Sequence, residues 1–323
     1  MGAKEYIIRR AISSITLFFL AIILNFFIFR IMPGDPTMTI IDIRMTPEMI
    51  EELRRRFGLD KPLWEQFLLY LRGVFTGDFG RSFEWRHLTV WEVIFERRFQ
   101  NTLILMGSSM CLAMVIGTLL GILAAYKRGS KFDAAATFVS LFVYSTPIFW
   151  SGLIVLLIFS YYLGWIPSGG TLSWEIEHTP ITYVLDYLHH MIAPMIILSL
   201  WFLASYFMVM RSSILDVFTQ DYIVTAEAKG LSDRRILFRH AARNALLPTV
   251  SLMAVHSSYL ISGATLTETV FSWYGMGKLM YDAVMFCDYP VLHGIFFLMS
   301  VVVILANFIA DIAYMYLDPR IRY

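Results

Sequence analysis

Six long windows of this chain hold about twenty or more residues with almost no charge. A helix that crosses the hydrocarbon core of a bilayer needs roughly 20 apolar residues, and in lipid only helices and closed barrels satisfy every backbone polar group. Charged residues make up 16% of the chain, against about 25% in soluble domains. The sequence therefore predicts an all-α membrane protein with six transmembrane helices, at about 9–30, 101–126, 135–163, 190–210, 247–269 and 291–312.

The first window follows Lys4, Arg9 and Arg10, an arrangement that also begins a secretory signal peptide. Its uncharged stretch from Ala11 to Phe29 is nineteen residues long, which exceeds the usual signal core. No small-residue cleavage site precedes the charged region that follows. We expect this window to be a retained span.

The basic residues of the short loops predict the orientation in the membrane. The N-terminus, the 127–133 loop, the 211–246 segment and the C-terminus hold fourteen Lys and Arg residues, whereas the 164–189 and 271–290 loops hold one. Short loops that are rich in Lys and Arg stay in the cytoplasm. We therefore predict a multi-pass protein of the cell membrane, with both termini and the 211–246 segment in the cytoplasm.

The long segment between the first two windows falls on the outer side and contains the turn and cap residues of a folded region. Three helices are predicted there, at Glu48–Phe57, Leu63–Phe75 and about Val90–Arg98. This organisation divides the chain into 1–100, an N-terminal span plus an extracytoplasmic helical segment, and 101–323, a five-span core.

The segment 211–246 is polar, rich in arginine and held between two apolar windows. Leu215–Lys229 favours a helix, and Gly230 can adopt the left-handed conformation that ends one. Ser232 or Asp233 can cap a second helix that follows the glycine. The pattern predicts two short helices joined by a tight turn.

Three arginines of the second helix, Arg235, Arg239 and Arg243, are spaced by four, which places them on one face of an α-helix. A short helix of this kind inserts into a groove on a partner protein. A basic interfacial helix that reaches lipid phosphates has the same pattern, so the residues alone leave both alternatives open. The net charge of +1 gives no bulk electrostatic reason to expect nucleic acid as a partner.

The fifth window is unusually rich in small and polar residues. Polar groups within a membrane usually face the interior of the helix bundle, where they line a path or hydrogen-bond to neighbouring helices. We favour a translocation path, lined by Ser258, Ser262, Thr265 and Glu268.

In the second window, Gly117 and Gly121 have the four-residue spacing that lets another helix approach closely. We interpret this pair as a helix-packing feature rather than as part of a path.

Motifs that carry catalytic chemistry are missing from the sequence. The chain has no G-x-x-x-x-G-K-[ST] phosphate loop, and no nucleophile–base pair lies within the apolar windows. The seven histidines show no metal-ligand spacing. We therefore predict a chain that is not an enzyme by itself and holds no cofactor or metal. An ion-coupled secondary transporter is the alternative class, but the windows hold almost none of the central charges that it needs.

Short motifs occur in a fixed order along nearly the whole chain. The 211–246 segment contains Ala228-Lys-Gly-Leu231 and Arg239-His-Ala241, and Leu247-Pro248 follows it directly. The others are Met32-Pro-Gly-Asp-Pro36, Phe57-Gly-Leu-Asp-Lys-Pro62, Gly77-Asp-Phe-Gly-Arg-Ser-Phe83, Gly164-Trp-Ile-Pro167, Glu268-Thr-Val-Phe-Ser-Trp-Tyr-Gly-Met-Gly277, Asp288-Tyr-Pro290 and Asp318-Pro-Arg-Ile-Arg-Tyr323. In these motifs the chain resembles ATP-binding-cassette importer permeases of the dipeptide/oligopeptide (peptide/nickel) family, of the first-permease type. It departs from the general importer pattern at Val224-Thr-Ala226, where that pattern has Glu-Ala-Ala.

The resemblance implies the type I importer permease fold and a machine of several subunits. A second homologous permease, two ATPase subunits that bind ATP and Mg²⁺, and an extracytoplasmic substrate-binding protein would join this chain in the lipid bilayer. The resemblance also implies an ATPase-coupling helix made of Ala226, Ala228, Lys229, Gly230, Leu231, Ser232, Arg235 and Arg239. The implied cargo is di- or oligopeptides, with short oligosaccharides or nickel as alternatives.

Overall fold

The computed structural model describes residues 3–31, 48, 51, 55, 60–85, 88–174, 179–257 and 259–317. Within these residues all regular structure is helical, and strand-like pairing is limited to an isolated bridge between Arg81 and Thr89. The chain divides into two compact units. Unit 1 comprises Met1–Asn101, Ile261–Thr265 and Tyr274–Tyr323, and unit 2 comprises Thr102–Leu260 and Leu266–Trp273. The predicted all-α class is confirmed.

The described residues form the following helices, numbered in chain order. They are α1 (Ala3–Ile31), α2 (Leu63–Thr76), α3 (Val90–Phe95), α4 (Arg98–Tyr126), α5 (Lys131–Ser145), α6 (Ile148–Val155) with a π-helical continuation (Leu156–Tyr162), α7 (Pro180–Phe218), α8 (Asp221–Ala228), α9 (Asp233–Arg235) with a second π-helical segment (Ile236–Ala241), α10 (Ala242–His256), α11 (Tyr259–Ser262), α12 (Thr265–Val270), α13 (Met276–Met285) and α14 (Tyr289–Leu317).

The predicted number of six spans is not confirmed. Among the described residues, four stretches are long and apolar enough to cross a membrane, and a fifth is added if α5 and α6 form one bent span. These two helices meet at 97°, where Pro147 removes a backbone donor and interrupts the helix. The fifth predicted window is broken into α10, α11 and α12. Gly263 lies in the second of these breaks with a left-handed φ of 69°.

Unit 1 is built around α1 and α14, which pack along each other. Phe26 and Tyr70 belong to a buried cluster that joins α2 to α1, and the side-chain amide of Asn25 donates to the Tyr70 hydroxyl over 2.9 Å. The helix α2 ends before Gly77, as predicted.

Elsewhere the predicted outer segment differs in detail. Thr89 and Glu92 form a capping box that starts α3, but the helix ends at Phe95 rather than at Arg98. Arg97 has a positive φ of 70°, so the chain turns there and α4 begins at the next residue. The predicted helix Glu48–Phe57 lies mostly outside the described residues.

In unit 2, α4 packs against α7 through the glycine pair predicted from sequence. A Cβ atom on Gly117 would lie 2.8 Å from the carbonyl oxygen of Leu203, and one on Gly121 would lie 2.8 Å from that of Phe207. Both distances are shorter than any ordinary contact, so each position admits only glycine without a shift of the helices. The close approach predicted for this pair is confirmed.

Candidate coupling site

The turn between the two predicted short helices has the geometry expected from its glycine. Gly230 follows α8 with φ 69°. The amide of Leu231 donates to the carbonyl of Ala226 over 3.3 Å, and that of Gly230 donates to Glu227 over 2.8 Å. These are the two hydrogen bonds of a Schellman motif. Leu231 also packs beside Ala226 in one apolar cluster, which is the hydrophobic contact that accompanies the motif.

The helix after the turn begins at Asp233, and Ser232, one of the two residues predicted to cap it, is its N-cap residue but forms no side-chain cap. The backbone of Ser232 is extended, and its carbonyl accepts from the amides of Arg235 and Ile236 at 2.8 and 3.0 Å. Its hydroxyl makes no capping hydrogen bond. The first turn of this helix is therefore held by backbone bonds alone.

A compact apolar cluster fixes this segment onto α4 and α7. Both sides of the turn contribute: Ile223 and Ala226 come from α8, and Ile236 from the π-helical segment. The buried members are Ile122, Ala125, Met210, Ile214, Ile223, Ala226, Ile236, Leu237, Ala241, Ala242 and Ala245. Each fully buried large aliphatic side chain contributes about 1.5–3 kcal/mol to the free energy of folding. This cluster therefore holds the turn in place against α4 and α7.

A side-chain hydrogen bond links the helices on either side of the turn. The side-chain amide of Asn244 donates to the hydroxyl of Tyr222 over 2.8 Å, which joins the start of α8 to the first turn of α10. The sequence analysis missed this pair, because nothing in the local pattern relates residues 22 positions apart.

The surface that remains exposed is the tip of the turn and the basic side of the second helix. Its members are Ala228, Lys229, Gly230, Ser232, Asp233, Arg234, Arg235, Phe238, Arg239 and Arg243. Ala226 is buried and Leu231 is half-buried, so these two predicted coupling residues support the surface from below. Such a surface, basic with one exposed aromatic ring, can bind an acidic groove on a protein or the phosphates of lipids.

The arginines do not all lie on a regular α-helix. Arg235 ends α9, Arg239 lies within the π-helical segment, and Arg243 belongs to α10. A π-helix has a wider turn than an α-helix, so the four-residue spacing does not by itself align the three side chains. All three are exposed.

The predicted path residues fall around the breaks that follow α10. Thr265 begins α12 and is half-buried. Glu268 has no exposed surface, and its carboxylate accepts a hydrogen bond of 2.9 Å from the hydroxyl of Thr102. Ser258 and the side chain of Ser262 lie outside the described part of the chain. The assignment of these four residues to a path stays a prediction.

A second polar link near the turn was also missed. The guanidinium of Arg211 on α7 donates to both carboxylate oxygens of Asp133 on α5, over 2.6 and 2.9 Å. The sequence analysis counted Arg211 only as one cation of a loop, since its partner lies 78 positions earlier.

The site holds no arrangement for catalysis or metal binding that the described residues reveal. Among them, no group of three or more His, Cys, Asp or Glu side chains is placed to hold a metal ion. The geometry provides an exposed turn that an apolar cluster holds in place.

Comparison with known proteins agrees with the resemblance seen in the motifs. Residues 117–323 match the family described as "Binding-protein-dependent transport system inner membrane component", and residues 4–106 match its N-terminal companion. The di/tripeptide transport system permease protein DppB of Pseudomonas aeruginosa (strain UCBPP-PA14) is 41% identical, with 99% of each chain covered.

Two further relatives are similar over nearly their full length. The oligopeptide transport system permease protein AppB of Bacillus subtilis (strain 168) is 38% identical, over 98% of this chain and 99% of the relative. The dipeptide transport system permease protein DppB of Escherichia coli (strain K12) is 39% identical, over 99% of each. The chain therefore belongs to the family of binding-protein-dependent transport system inner membrane components, which are the membrane permease subunits of ATP-binding-cassette transporters and are not themselves catalytic.

Proposed function

We propose that this chain is the permease subunit of an ATP-driven importer and forms half of the translocation path for di- or oligopeptides. The observation that carries the proposal is the similarity of 38–41% over the whole chain to permeases named for di/tripeptide, oligopeptide and dipeptide transport. No observation on this chain favours short oligosaccharides or nickel over peptides.

The permease acts with partners that supply energy and cargo. A second homologous permease completes the path, two ATPase subunits bind ATP and Mg²⁺ on the cytoplasmic side, and a substrate-binding protein delivers the peptide from outside. In this arrangement both termini and the turn at Gly230 face the cytoplasm, in agreement with the distribution of Lys and Arg.

The turn at Gly230 is the part of this chain that binds the ATPase. Its exposed basic side, with Lys229, Arg235 and Arg239, enters a groove on the ATPase. Because the turn rests on the apolar cluster shared with α4 and α7, a displacement of the groove moves those helices rather than only the turn. The spans then rock between inward-facing and outward-facing states.

The path itself is assigned to the region after α10, with Ser258, Ser262, Thr265 and Glu268. The breaks between α10, α11 and α12 support this assignment, because irregular backbone at membrane depth occurs where it is buried in protein or lines a cavity.

Site-specific cross-linking tests the coupling assignment. Cys111 and Cys287 are replaced by alanine, and single cysteines are placed at Ser232, Arg235 and Arg239. We expect cross-links to purified ATPase subunits from these positions and none from the exposed Arg72 of α2, which serves as the matched control. Labelling of the three cysteines by a membrane-impermeant reagent from outside the cell, or no cross-link in a complex that retains its ATPases, contradicts the assignment.

Uptake into proteoliposomes tests the cargo. Vesicles that contain both permeases and ATPases receive binding protein and ATP, and then a labelled dipeptide, an oligosaccharide or Ni²⁺. We expect accumulation of the peptide that depends on ATP. Accumulation of sugar or nickel in its place overturns the peptide assignment and leaves the coupling assignment standing.

A further inference from the structure

We infer that the ion pair between Asp133 and Arg211 is a positioning element that carries the movement of the coupling turn from α7 into α5. The inference rests on the proposed function, since it assumes that a partner displaces the turn. It gives this pair a role in the coupling of ATP hydrolysis to transport, separate from that of the docking surface.

The pair has the geometry of a rigid joint. Nε and one terminal nitrogen of Arg211 donate to the two carboxylate oxygens of Asp133 over 2.6 and 2.9 Å. The amide of Gly129 donates to the same carboxylate over 3.1 Å. The Asp133 side chain is 6% exposed. A two-point contact of this kind fixes orientation as well as distance, and a single-point contact does not.

Arg211 lies next to the residues that hold the coupling turn. Its neighbours on α7, Met210 and Ile214, are buried in the cluster that contains Ile223 and Ala226 of α8. Only Thr219 and Gln220 separate the end of α7 from the start of α8. A displacement at the turn therefore reaches the neighbours of Arg211 through the packing of α8 on α7.

The helix α4 converges on the same point. A Cβ atom on Gly121 would lie 3.1 Å from the backbone nitrogen of Arg211, so α4 and α7 are in close backbone contact there. The connection from α4 to α5 is short, and within it the amide of Gly129 donates to the carboxylate of Asp133 while the amide of Asp133 donates to the hydroxyl of Ser130. The three helices α4, α5 and α7 thus meet at Arg211.

The pair is the polar link in an interface between α5 and α7 that is otherwise made by packing. Of the α5 residues that the structure describes, Asp133 is the one that hydrogen-bonds or ion-pairs with α7. The ring of Tyr144 also stacks on that of Trp201, but a stacked ring pair fixes the relative orientation of two helices less strictly than a two-point ion pair does. Without the pair, α7 can move while α5, and the bent helix α6 that follows it, stay behind.

The test uses the complete complex reconstituted in vesicles, with peptide uptake and ATP hydrolysis measured together. The variants are Asp133→Asn, Arg211→Gln, Arg211→Lys and the charge exchange Asp133→Arg with Arg211→Asp. Lys278→Gln is the control, because it breaks an ion pair of 3.0 Å with Asp282 in unit 1, whose cation is as exposed as Arg211 and whose carboxylate is more exposed than Asp133.

We expect Asp133→Asn and Arg211→Gln to lower the peptide transported per ATP by about five-fold or more, the lower end of ordinary coupling between sites. Basal ATP hydrolysis and retention of the ATPases on purification stay at the wild-type level, since the docking surface is untouched. Arg211→Lys keeps the charge but loses the two-point contact. Its ratio of peptide transported per ATP should lie between those of the wild type and Arg211→Gln. The charge exchange restores part of the ratio, because an arginine at position 133 cannot accept the hydrogen bond from the amide of Gly129. Lys278→Gln leaves the ratio unchanged.

A wild-type ratio in assembled Asp133→Asn and Arg211→Gln complexes overturns the inference. So does a charge exchange that assembles and is no better than the single variants, or an equal loss in Lys278→Gln. Failure of the proposed function looks different, because the wild-type complex itself then transports no peptide or retains no ATPase.

Discussion

The carboxylate of Asp288 accepts a hydrogen bond of 2.5 Å from the hydroxyl of Ser82, which lies 206 positions earlier in the chain. The amides of Phe83 and Glu84 donate to the same oxygen over 3.1 and 3.2 Å. The other oxygen accepts from the amide of Val291 over 3.3 Å and so caps α14. The start of the last long helix is therefore held by the connection between α2 and α3, and Asp288 has no exposed surface.

Two substitutions of Asp288, by alanine and by asparagine, distinguish the loss of its hydrogen-bond acceptors from the loss of its charge. We expect Asp288→Ala to lower thermal stability in detergent strongly, because each buried donor left without a partner costs about 1–3 kcal/mol. Asp288→Asn retains one carbonyl acceptor and is expected to be milder. Asp216→Asn, at an exposed position of α7, is the control. Equal stability of Asp288→Ala and the wild type would contradict this account of the contact.

The same carboxyl group predicts a dependence of stability on pH. Burial raises the pKa of Asp288 above its ordinary value, although the hydrogen bonds from Ser82 and from nearby amides oppose the shift. The folded state then binds the proton more tightly than the unfolded state does. Stability should fall as pH rises from the unfolded pKa of about 3.9 to the raised folded pKa, and should be level above it. Thermal unfolding of wild type and Asp288→Asn across that range measures the difference, which is absent if the two curves are parallel.

The features that the sequence predicted well are local ones. The two glycines that end α2 and α8 were identified correctly, and four of the six apolar windows correspond to long helices. Each depends on residues that are contiguous in the chain, such as the 29-residue run from Arg98 to Tyr126 or the Schellman turn around Gly230. Backbone conformation and apolar periodicity suffice for such elements.

The features that were missed depend on partners far apart in the chain. Nothing near Arg211 indicates Asp133, and nothing near Ser82 indicates Asp288, because a polar residue does not show which distant group it meets. The breaks in the fifth window were missed for a related reason. Its composition is apolar enough for a span, and hydropathy does not indicate the left-handed backbone at Gly263 that accompanies the interruption.

Substitutions at Gly230 should follow the cost of its left-handed backbone rather than the size of the side chain. A Cβ atom there meets no other atom within 4 Å, so space is not the constraint. A non-glycine residue at this φ costs about 1–2 kcal/mol, and asparagine tolerates the conformation best. We expect peptide uptake to decrease in the order Gly230→Asn, Gly230→Ala, Gly230→Val, with each variant still inserted in the membrane. Wild-type uptake by Gly230→Val would contradict the importance of this turn.

Arg98 should not be replaceable by lysine. Its guanidinium lies 4.4 Å from the ring centroids of both Trp85 and Tyr274, and it donates to the Tyr274 hydroxyl over 2.8 Å. A planar guanidinium stacks on two rings at once, and an ammonium group does not. We expect Arg98→Lys to lower the thermal stability of the protein in detergent by several degrees, and the exposed Arg72→Lys to leave it unchanged. An Arg98→Lys protein as stable as the wild type would show that charge alone suffices.

Three glycines of α4 provide a test of how tightly this helix packs on α7. A Cβ atom at Gly121 would lie 2.8 Å from the carbonyl oxygen of Phe207, and at Gly117 equally near that of Leu203. At Gly107 the nearest atom is 3.9 Å away, which is ordinary contact. Alanine at Gly117 or Gly121 must push the helices apart, at a cost of about 1–3 kcal/mol for overpacking.

Alanine at Gly107 instead removes only backbone freedom and should stabilise the helix by about 0.5–1 kcal/mol. Thermal unfolding of the three variants in detergent, compared at one protein concentration, should therefore give opposite signs for residues on the same helix. Because Gly121 also adjoins Arg211, Gly121→Ala should in addition weaken the coupling of ATP hydrolysis to uptake, whereas Gly107→Ala should not. A loss of stability of the same size in Gly107→Ala would mean that glycine is needed for flexibility of α4 rather than for its approach to α7.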